Sequence, residues 1–388
     1  MSTRSAPIRL ATRGSALALV QARSVRESLE GRRRDVELVE VETTGDQIRD
    51  ELIHRLGRTG AFVRSLDERV LDGTVEGAVH SMKDMPTDTP EELIVAAIPQ
   101  RARAGDLLVT PDGATLDELP AGATVGTGSL RRQAQLLAER PDLEVEPLRG
   151  NVDTRVEKLL ASHLRTEYDD RVAAEEREAD ADADDEESEP EYDRRPEEWV
   201  EGLSELERRA LDREAGTAYD AIVLAAAGLE RSNLLGTVPT QPLPVGEFVP
   251  AAGQGAIAVT MLDTELAQAV HDAVDHPRTR VETTVERTVL ATLGGGCVAP
   301  IGIHALIQGE HVRTRVQVLA RDGEHSISAS RDLPVERHAE AARRLAEELA
   351  DRGARELIEE AKREAGEAET AADRSDDDEK EGGSEDGG

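Results

Sequence analysis

Short apolar runs alternate with helix-spaced apolar positions along most of the chain. IRLAT (8–12) predicts a strand, and Ser15 to Leu29 predicts a helix with Leu17, Val20 and Val25 on its apolar side. VELVEVET (36–43) alternates with the period of a half-buried strand. A helix is predicted over 61–71 and a strand over VEGAVHS (75–81), after which the apolar run ELIVAAIP (92–99) follows. ATVGTGS (123–129) reads as strand into loop and precedes the helix LRRQAQLLAER, while LEVEPLRG (143–150) leads into the helix VDTRVEKLLA. YDAIVLAAAGLE (219–230) reads as a buried strand and turn. Strands alternating with helices predict α/β domains. Beyond Pro277 the pattern changes to a helix (281–292), a glycine-rich loop, three successive strands (IGIHALIQ, RTRVQVLA, SISASRDL) and a helix from His338 to Ala361. That order predicts a small α+β unit.

Two segments break the pattern. Residues 162–217 hold 22 acidic and 8 basic side chains, and their low-complexity middle is expected to be disordered. Near its end Pro196 is placed to start a helix, with Trp199, Leu203, Leu206 and Ala210 on one face. The segment reads as a solvating loop outside any site, so that removing 165–215 should leave the chemistry intact. The tail from Arg363 carries 11 acids against 3 bases and ends in Gly and Ser.

Composition sharpens this picture. The 388 residues are enough for two or three domains, and aromatic residues at 2% leave core filling to Val, Leu, Ile and Ala. A net charge of −34 argues against nucleic acid as a partner, since phosphates require a basic footprint. Only four of the 47 basic residues are lysine, and high acid content with little lysine suits a salt-rich cytosol where counterions screen self-repulsion. The first residues lack the long apolar stretch of a signal peptide, and no run of about 18 apolar residues suggests a membrane span. A cytoplasmic protein is expected. The single cysteine, Cys297, excludes an internal disulfide.

Candidate chemistry gathers at strand ends. Arg9 and Arg13 flank one, with Ser15 next; Arg131 and Arg132 open a helix after Gly126-Thr127-Gly128-Ser129; Arg149 closes a strand, with Arg155 six residues on. Backbone N–H groups at such strand–turn–helix junctions favour anions, and guanidinium forks match carboxylates. Any one of these arginines read alone is a surface charge; repeated in this context they point to a ligand with several carboxylates. HSMKDMP (80–86) clusters Ser81, Lys83 and Asp84 before a proline, where a carboxylate beside a cation can stabilise a developing positive charge or move a proton. Alone, it would read as a surface turn. In LGGGCVAPIG three glycines let the chain bend and leave Cys297 accessible as a nucleophile, whereas most lone cysteines are buried and inert. No metal site is indicated.

ATRGSALAL, HSMKDMP, GTGSLRRQAQL, LRGNVDTR, YDAIVLAAAGLER, PAAGQGAIAV and LGGGCVAPIG, in this order, resemble porphobilinogen deaminase from about Ile8 to Ala361, excluding the acidic segments. The resemblance implies an α/β fold of two periplasmic-binding-protein-like lobes plus a small α+β C-terminal domain. It divides the chain into 1–101 with 256–274, then 106–250 with an acidic insert at about 162–217, then a cofactor-bearing unit at 278–362 and a disordered tail at 363–388. It further implies a transferase that joins four porphobilinogen molecules head to tail, with loss of ammonia, into hydroxymethylbilane.

The resemblance also implies that the product grows on a dipyrromethane cofactor, held by a thioether at the position that Cys297 matches. Asp84 matches the catalytic carboxylate. Ser81, Lys83, Thr127, Ser129, Arg131, Arg132 and Arg155 match cofactor-binding positions, and Arg155 also matches a substrate position. Arg9, Arg13, Ser15, Arg149, Arg231 and Gln254 are the expected substrate-binding set. A monomer is expected, meeting uroporphyrinogen-III synthase transiently.

Some positions depart from the family pattern. HRLGRTGAF offers Arg55, Arg58 and Thr59 where two lysines are usual, RARAGDLL keeps only Arg101 and Asp106 of a charged run, and Gly294 and Val298 replace residues flanking the Gly-Gly-Cys loop. Two other readings compete. A solute-binding protein of the same two-lobed fold would need an export signal and no reactive thiol, and an acidic scaffold would not explain the ordered arginines.

Overall fold

The computed structural model describes residues 7–31, 34–41, 61–180, 191–214, 216–296 and 299–364. Arg55, Arg58, Thr59, Cys297, Val298 and residues 365–388 lie outside the described residues.

The first lobe is a five-stranded sheet of order β2-β1-β3-β10-β4, formed by β1 (Ile8–Arg13), β2 (Val36–Val41), β3 (Gly77–Ser81), β4 (Leu93–Ala97) and β10 (Ile257–Leu262). β1 runs parallel to β2 and β3, and β10 is antiparallel to both of its neighbours. Gly77 to His80 of β3 are all buried, as a central strand covered on both faces requires. α1 (Ala16–Glu30) starts at Ser15, whose side chain accepts a hydrogen bond from the Ala18 N–H at 3.3 Å, a helix N-cap. Its buried stripe is Gln21, Ala22, Val25 and Leu29, rotated from the expected Leu17–Val20 side because Leu17 and Val20 remain partly exposed. α2 (Ala61–Leu71) precedes β3, and α8 (Glu265–Val274) packs Ala267 and Val270 into the same core.

The second lobe repeats the plan as β7-β6-β8-β5-β9: β5 (Asp106–Val109), β6 (Thr124–Thr127), β7 (Glu144–Pro147), β8 (Ala221–Ala225) and β9 (Thr240–Pro242). Here β5 is the strand antiparallel to both neighbours, as β10 is in the first lobe. The chain crosses between lobes after β4 and returns before β10, so segments 98–105 and 243–256 form the hinge. α3 (Leu130–Glu139) follows β6, α4 (Val152–Asp180) follows β7, and α7 (Ala226–Arg231) follows β8.

The acidic segment differs from its expected form. α4 does not end near Ala161 but continues to Asp180, into the first part of the low-complexity stretch; the rest of that stretch, 181–190, for which composition predicts disorder, lies outside the described residues. α5 (Pro196–Gly202) begins at Pro196 as expected, and Ser204 then caps a separate α6 (Glu205–Leu211) through a reciprocal Ser204–Glu207 capping box. Trp199, Leu203 and Ala210 are buried beside Leu159, Leu160 and Leu164 in the core of the second lobe. The Arg171 guanidinium lies 4.5 Å from the Tyr192 ring centre and 5.1 Å from that of Trp199. This part of the segment is therefore packed structure, and removing 165–215 whole would strip a face of the lobe.

The third unit packs α9 (Pro277–Thr292) and α10 (His338–Ala350) on a three-stranded antiparallel sheet, β11 (Ile301–Gln308), β12 (His311–Leu319) and β13 (Ser326–Pro334). Val285, Val289, Ile303, Val316, Leu345 and Leu349 form its centre. The single final helix expected to Ala361 is broken at Gly353, whose φ of +97° only glycine adopts readily, and a second helix covers 354–364. No helix among the described residues is long and apolar enough to cross a membrane.

Candidate active site

Side chains expected to carry chemistry sit at the carboxyl ends of strands in both lobes, where open α/β sheets present ligands to helix N-termini. From the first lobe come Arg13 and Ser15 at the end of β1 and the Ser81–Asp84 turn at the end of β3. From the second come Thr127 and Ser129 after β6, with Arg149 and Arg155 after β7. Met82 to Asp84 form a 3-10 turn that buries Met82 and leaves Lys83 and Asp84 exposed. The turn is backed by Gly253 in the hinge, where a side chain would press within 2.8 Å of Met82 and 3.3 Å of the Lys83 backbone nitrogen.

A buried charge cluster lies beneath the second-lobe end. Asp106, wholly buried, accepts from Arg131 through Oδ2 and from Arg132 through Oδ1, both at 2.8 Å. Burial alone would push the Asp106 carboxyl up; the two guanidinium charges and their hydrogen bonds outweigh it and hold it well below the usual carboxylate range. One carboxylate thus faces two guanidinium groups, and Arg155 stands close enough to feel Arg132. Burial, reinforced by the Arg132 charge, holds Arg155 down at about 10. The Nε atoms of Arg131 and Arg132 are buried without a hydrogen-bond partner. Gly128 passes so close to the next strand end that a Cβ would meet the Leu148 carbonyl at 2.9 Å and Arg155 Nη2 at 3.5 Å. Excess buried positive charge beside a side-chain-free turn is a cradle suited to a carboxylate-rich ligand.

Several expected residues are placed otherwise. Arg9 lies in the first half of β1, away from the Arg13 end, and its guanidinium is held by Glu76 at 2.6 and 3.1 Å. It is not brought to the cleft. Gln254 is buried in the hinge; its amide donates to Asp106 at 2.8 Å and accepts from Arg131 at 3.3 Å. It ties the hinge to the charge cluster rather than facing a ligand. The terminal nitrogens of Arg131 are committed to Gln135, Val249, Asp106 and Gln254, so this arginine holds the hinge against the second lobe. Arg231 donates to the Gly255 carbonyl at 2.8 Å, and burial lowers its pKa. Thr127 is buried, its hydroxyl accepting from the Ser129 N–H at 3.3 Å; the Ser129 side chain makes no helix-capping bond.

The flanks of the cysteine loop are anchored. The Gly295 N–H donates to the Leu290 carbonyl at 2.9 Å, and Lys362 reaches the Gly294 carbonyl at 2.6 Å. Two residues that no sequence motif marks, Glu286 and Arg287, are adjacent on α9. Glu286 is buried and receives Arg101 at 2.8 and 3.0 Å, the Gly253 N–H at 2.7 Å and the Ala305 N–H at 2.8 Å. The sequence signal is slight: an adjacent acid–base pair in a charged, threonine-rich helix, eleven and ten residues before Cys297.

Family models match most of the chain: "Porphobilinogen deaminase, dipyromethane cofactor binding domain" over residues 8–176 and 202–269, and "Porphobilinogen deaminase, C-terminal domain" over 281–351. The chain belongs to the porphobilinogen deaminase family. It is 51% identical to a probable porphobilinogen deaminase of Halobacterium salinarum, over 93% of this chain and 100% of that one. A probable porphobilinogen deaminase of Methanococcoides burtonii is 38% identical over 91% and 96%, and the porphobilinogen deaminase of Campylobacter hominis 34% over 90% and 97%. The protein is a transferase that polymerises porphobilinogen into hydroxymethylbilane in tetrapyrrole biosynthesis, working with a dipyrromethane cofactor. The halophilic reading of the composition agrees with the Halobacterium relative. The family match omits 177–201, a narrower insertion than composition alone suggested.

Proposed function

We propose that Asp84 is the catalytic carboxylate of this polymerase and that Cys297 bears the cofactor. The observation carrying this reading is the placement of an exposed Lys83–Asp84 pair at the carboxyl end of β3, with the cationic cluster of the second lobe at the equivalent end of its own sheet. The cofactor, when bound, supplies the pyrrole carbon to which the first substrate is joined. Arg132 and Arg155 hold its acetate and propionate groups, with Ser81, Lys83 and Ser129 as further donors. The Gly128 turn leaves room for them. Arg131 and Thr127 act through the backbone they fix.

Arg13, Ser15, Arg149 and Arg231 orient the carboxylates of the incoming porphobilinogen. Its loss of ammonia leaves a cationic pyrrole, and the Asp84 carboxylate stabilises that charge without reorganising at the moment of reaction. The same carboxylate lies ready to take the proton released when the new carbon–carbon bond has formed. The protein acts in the cytoplasm as a monomer and meets the enzyme that consumes its product only transiently.

Asp84→Asn tests this. It keeps the shape of the turn and removes the charge. Turnover is expected to fall by about 10²–10³, the effect of losing one oriented electrostatic group, with folding unchanged. Turnover close to normal would make Asp84 a structural turn residue.

A further inference from the structure

The helix leading to the cysteine loop also holds the turn that presents Asp84. Arg287, on α9, donates through Nη2 to the Pro86 carbonyl at 2.6 Å and through Nη1 to the carbonyls of Met85 at 3.2 Å and Met82 at 3.4 Å. These three acceptors bracket Lys83 and Asp84 on both sides. Met82–Asp84 is a single 3-10 turn, closed by one Met85 N–H to Met82 carbonyl bond of 3.2 Å and followed by Pro86; the Met82 N–H donates to the Ala256 carbonyl at 3.0 Å, and Met82 and Met85 are buried beneath it. Gly253 backs it from the hinge side.

The opposite side of α9 is fixed in the third unit. Val285 and Val289 lie in its core, Glu282 receives the Ile307 N–H at 3.0 Å, and Glu286 receives that of Ala305 at 2.8 Å. Glu286 and Arg287 are adjacent, so one helical turn binds the hinge through Arg101 and Gly253 and the catalytic turn through three carbonyls. α9 ends at Thr292, five residues before Cys297. The carboxylate and the start of the cysteine loop are therefore referenced to one rigid element.

We infer that Arg287 is a positioning residue for the reaction, holding the Asp84 turn in register with the helix that ends at the cysteine loop. This rests on the assignment of Asp84 made above. A bidentate guanidinium suits the task because it can serve several carbonyls at fixed spacing, which a single ammonium cannot. Misplacing a reacting group by about 1 Å can cost as much as 10²-fold in rate.

The test is a double-mutant cycle in the full chain, read as kcat and KM for porphobilinogen, with intact mass verifying that each variant carries its cofactor. Arg287→Leu should lower kcat roughly tenfold or more with KM changed by less than about twofold. Arg287→Lys should fall between it and wild type. The double variant with Asp84→Asn should be no slower than Asp84→Asn alone, because Arg287 acts through that carboxylate. A slow Asp84→Asn beside a normal Arg287→Leu would overturn the inference, as would multiplying defects in the double variant. A normal Asp84→Asn would instead overturn the assignment on which it rests. Should Arg287→Leu fail to fold, the same cycle with Arg287→Lys decides by the same outcomes.

Discussion

Asp106 and Arg132 are joined at 2.8 Å inside the second lobe, and the other Asp106 oxygen holds Arg131 at the same distance. One carboxylate thereby keeps two buried guanidinium groups in place, Arg131 bonded to the hinge at Val249 and Gln254 and Arg132 to the Val223 carbonyl of β8 at 3.1 Å. Asp106→Asn should destabilise the protein by about 3–5 kcal/mol, the usual result of removing one partner from a buried ion pair. The Asp106 carboxyl is held below its ordinary range, so its contribution is fully present above the unfolded carboxylate pKa of about 3.9. It is lost as pH falls below that value and through the depressed folded one. Urea unfolding at constant high salt should show wild type and Asp106→Asn separated by the same amount from pH 7 down to about pH 4, with the separation beginning to shrink only below about 3.9. A separation that stayed constant below that pH as well would mean that the carboxylate charge contributes nothing.

The packed part of the acidic segment gives a second test. Trp199 is 9% exposed and lies in one cluster with Leu203, Leu159 and Leu164. Trp199→Ala should cost about 3–5 kcal/mol, as large aromatic deletions in cores do. Replacing 181–190 with a Gly/Ser linker should leave both stability and turnover near wild type, since long loops close at little extra entropic cost. Calorimetric melts of the two variants separate the cases: a stable Trp199→Ala would show that the segment is not part of the lobe.

Most strands and helices of the two lobes were legible because parallel strands buried on both faces write continuous apolar runs, as AIVLA in β8 does. What sequence misplaced has identifiable causes. Composition predicts disorder through the low-complexity middle of the segment, 173–191, yet α4 continues to Asp180, with Leu164 and Tyr168 packed beside Trp199. Spacing placed Arg9 with Arg13, but four residues along a strand span about 13 Å, which puts Arg9 beside Glu76 instead of the cleft. Gln254 and Arg287 act through contacts far away in sequence, 148 residues for Gln254 with Asp106 and 201 for Arg287 with Pro86, which no local pattern encodes.

Salt should govern the stability of the whole. With a net charge of −34, lowering ionic strength from 1 M to 0.1 M lengthens the screening distance from about 3 Å to about 10 Å, so repulsion reaches across neighbouring acids. The melting temperature should fall steeply over that range. A flat profile would remove the halophilic account of the composition.

Arg149 and Asp84 should fail differently. Arg149 closes the β7 end of the site, and its proposed partner is a substrate carboxylate. Loss of a charge-assisted hydrogen bond of about 1.5–3 kcal/mol should raise KM by roughly ten- to a hundredfold in Arg149→Leu, or trap a partly grown chain visible by mass spectrometry. A variant with normal KM and no trapped species would assign Arg149 to the fold alone.

The most direct measurement of the central claim is the intact mass of the purified protein beside that of Cys297→Ser. The wild type should be heavier than its sequence by one dipyrromethane unit and should turn over porphobilinogen, while Cys297→Ser should show bare sequence mass and no turnover. An active wild-type protein at bare sequence mass, or a fully active Cys297→Ser, would contradict the assignment of the cofactor to this cysteine.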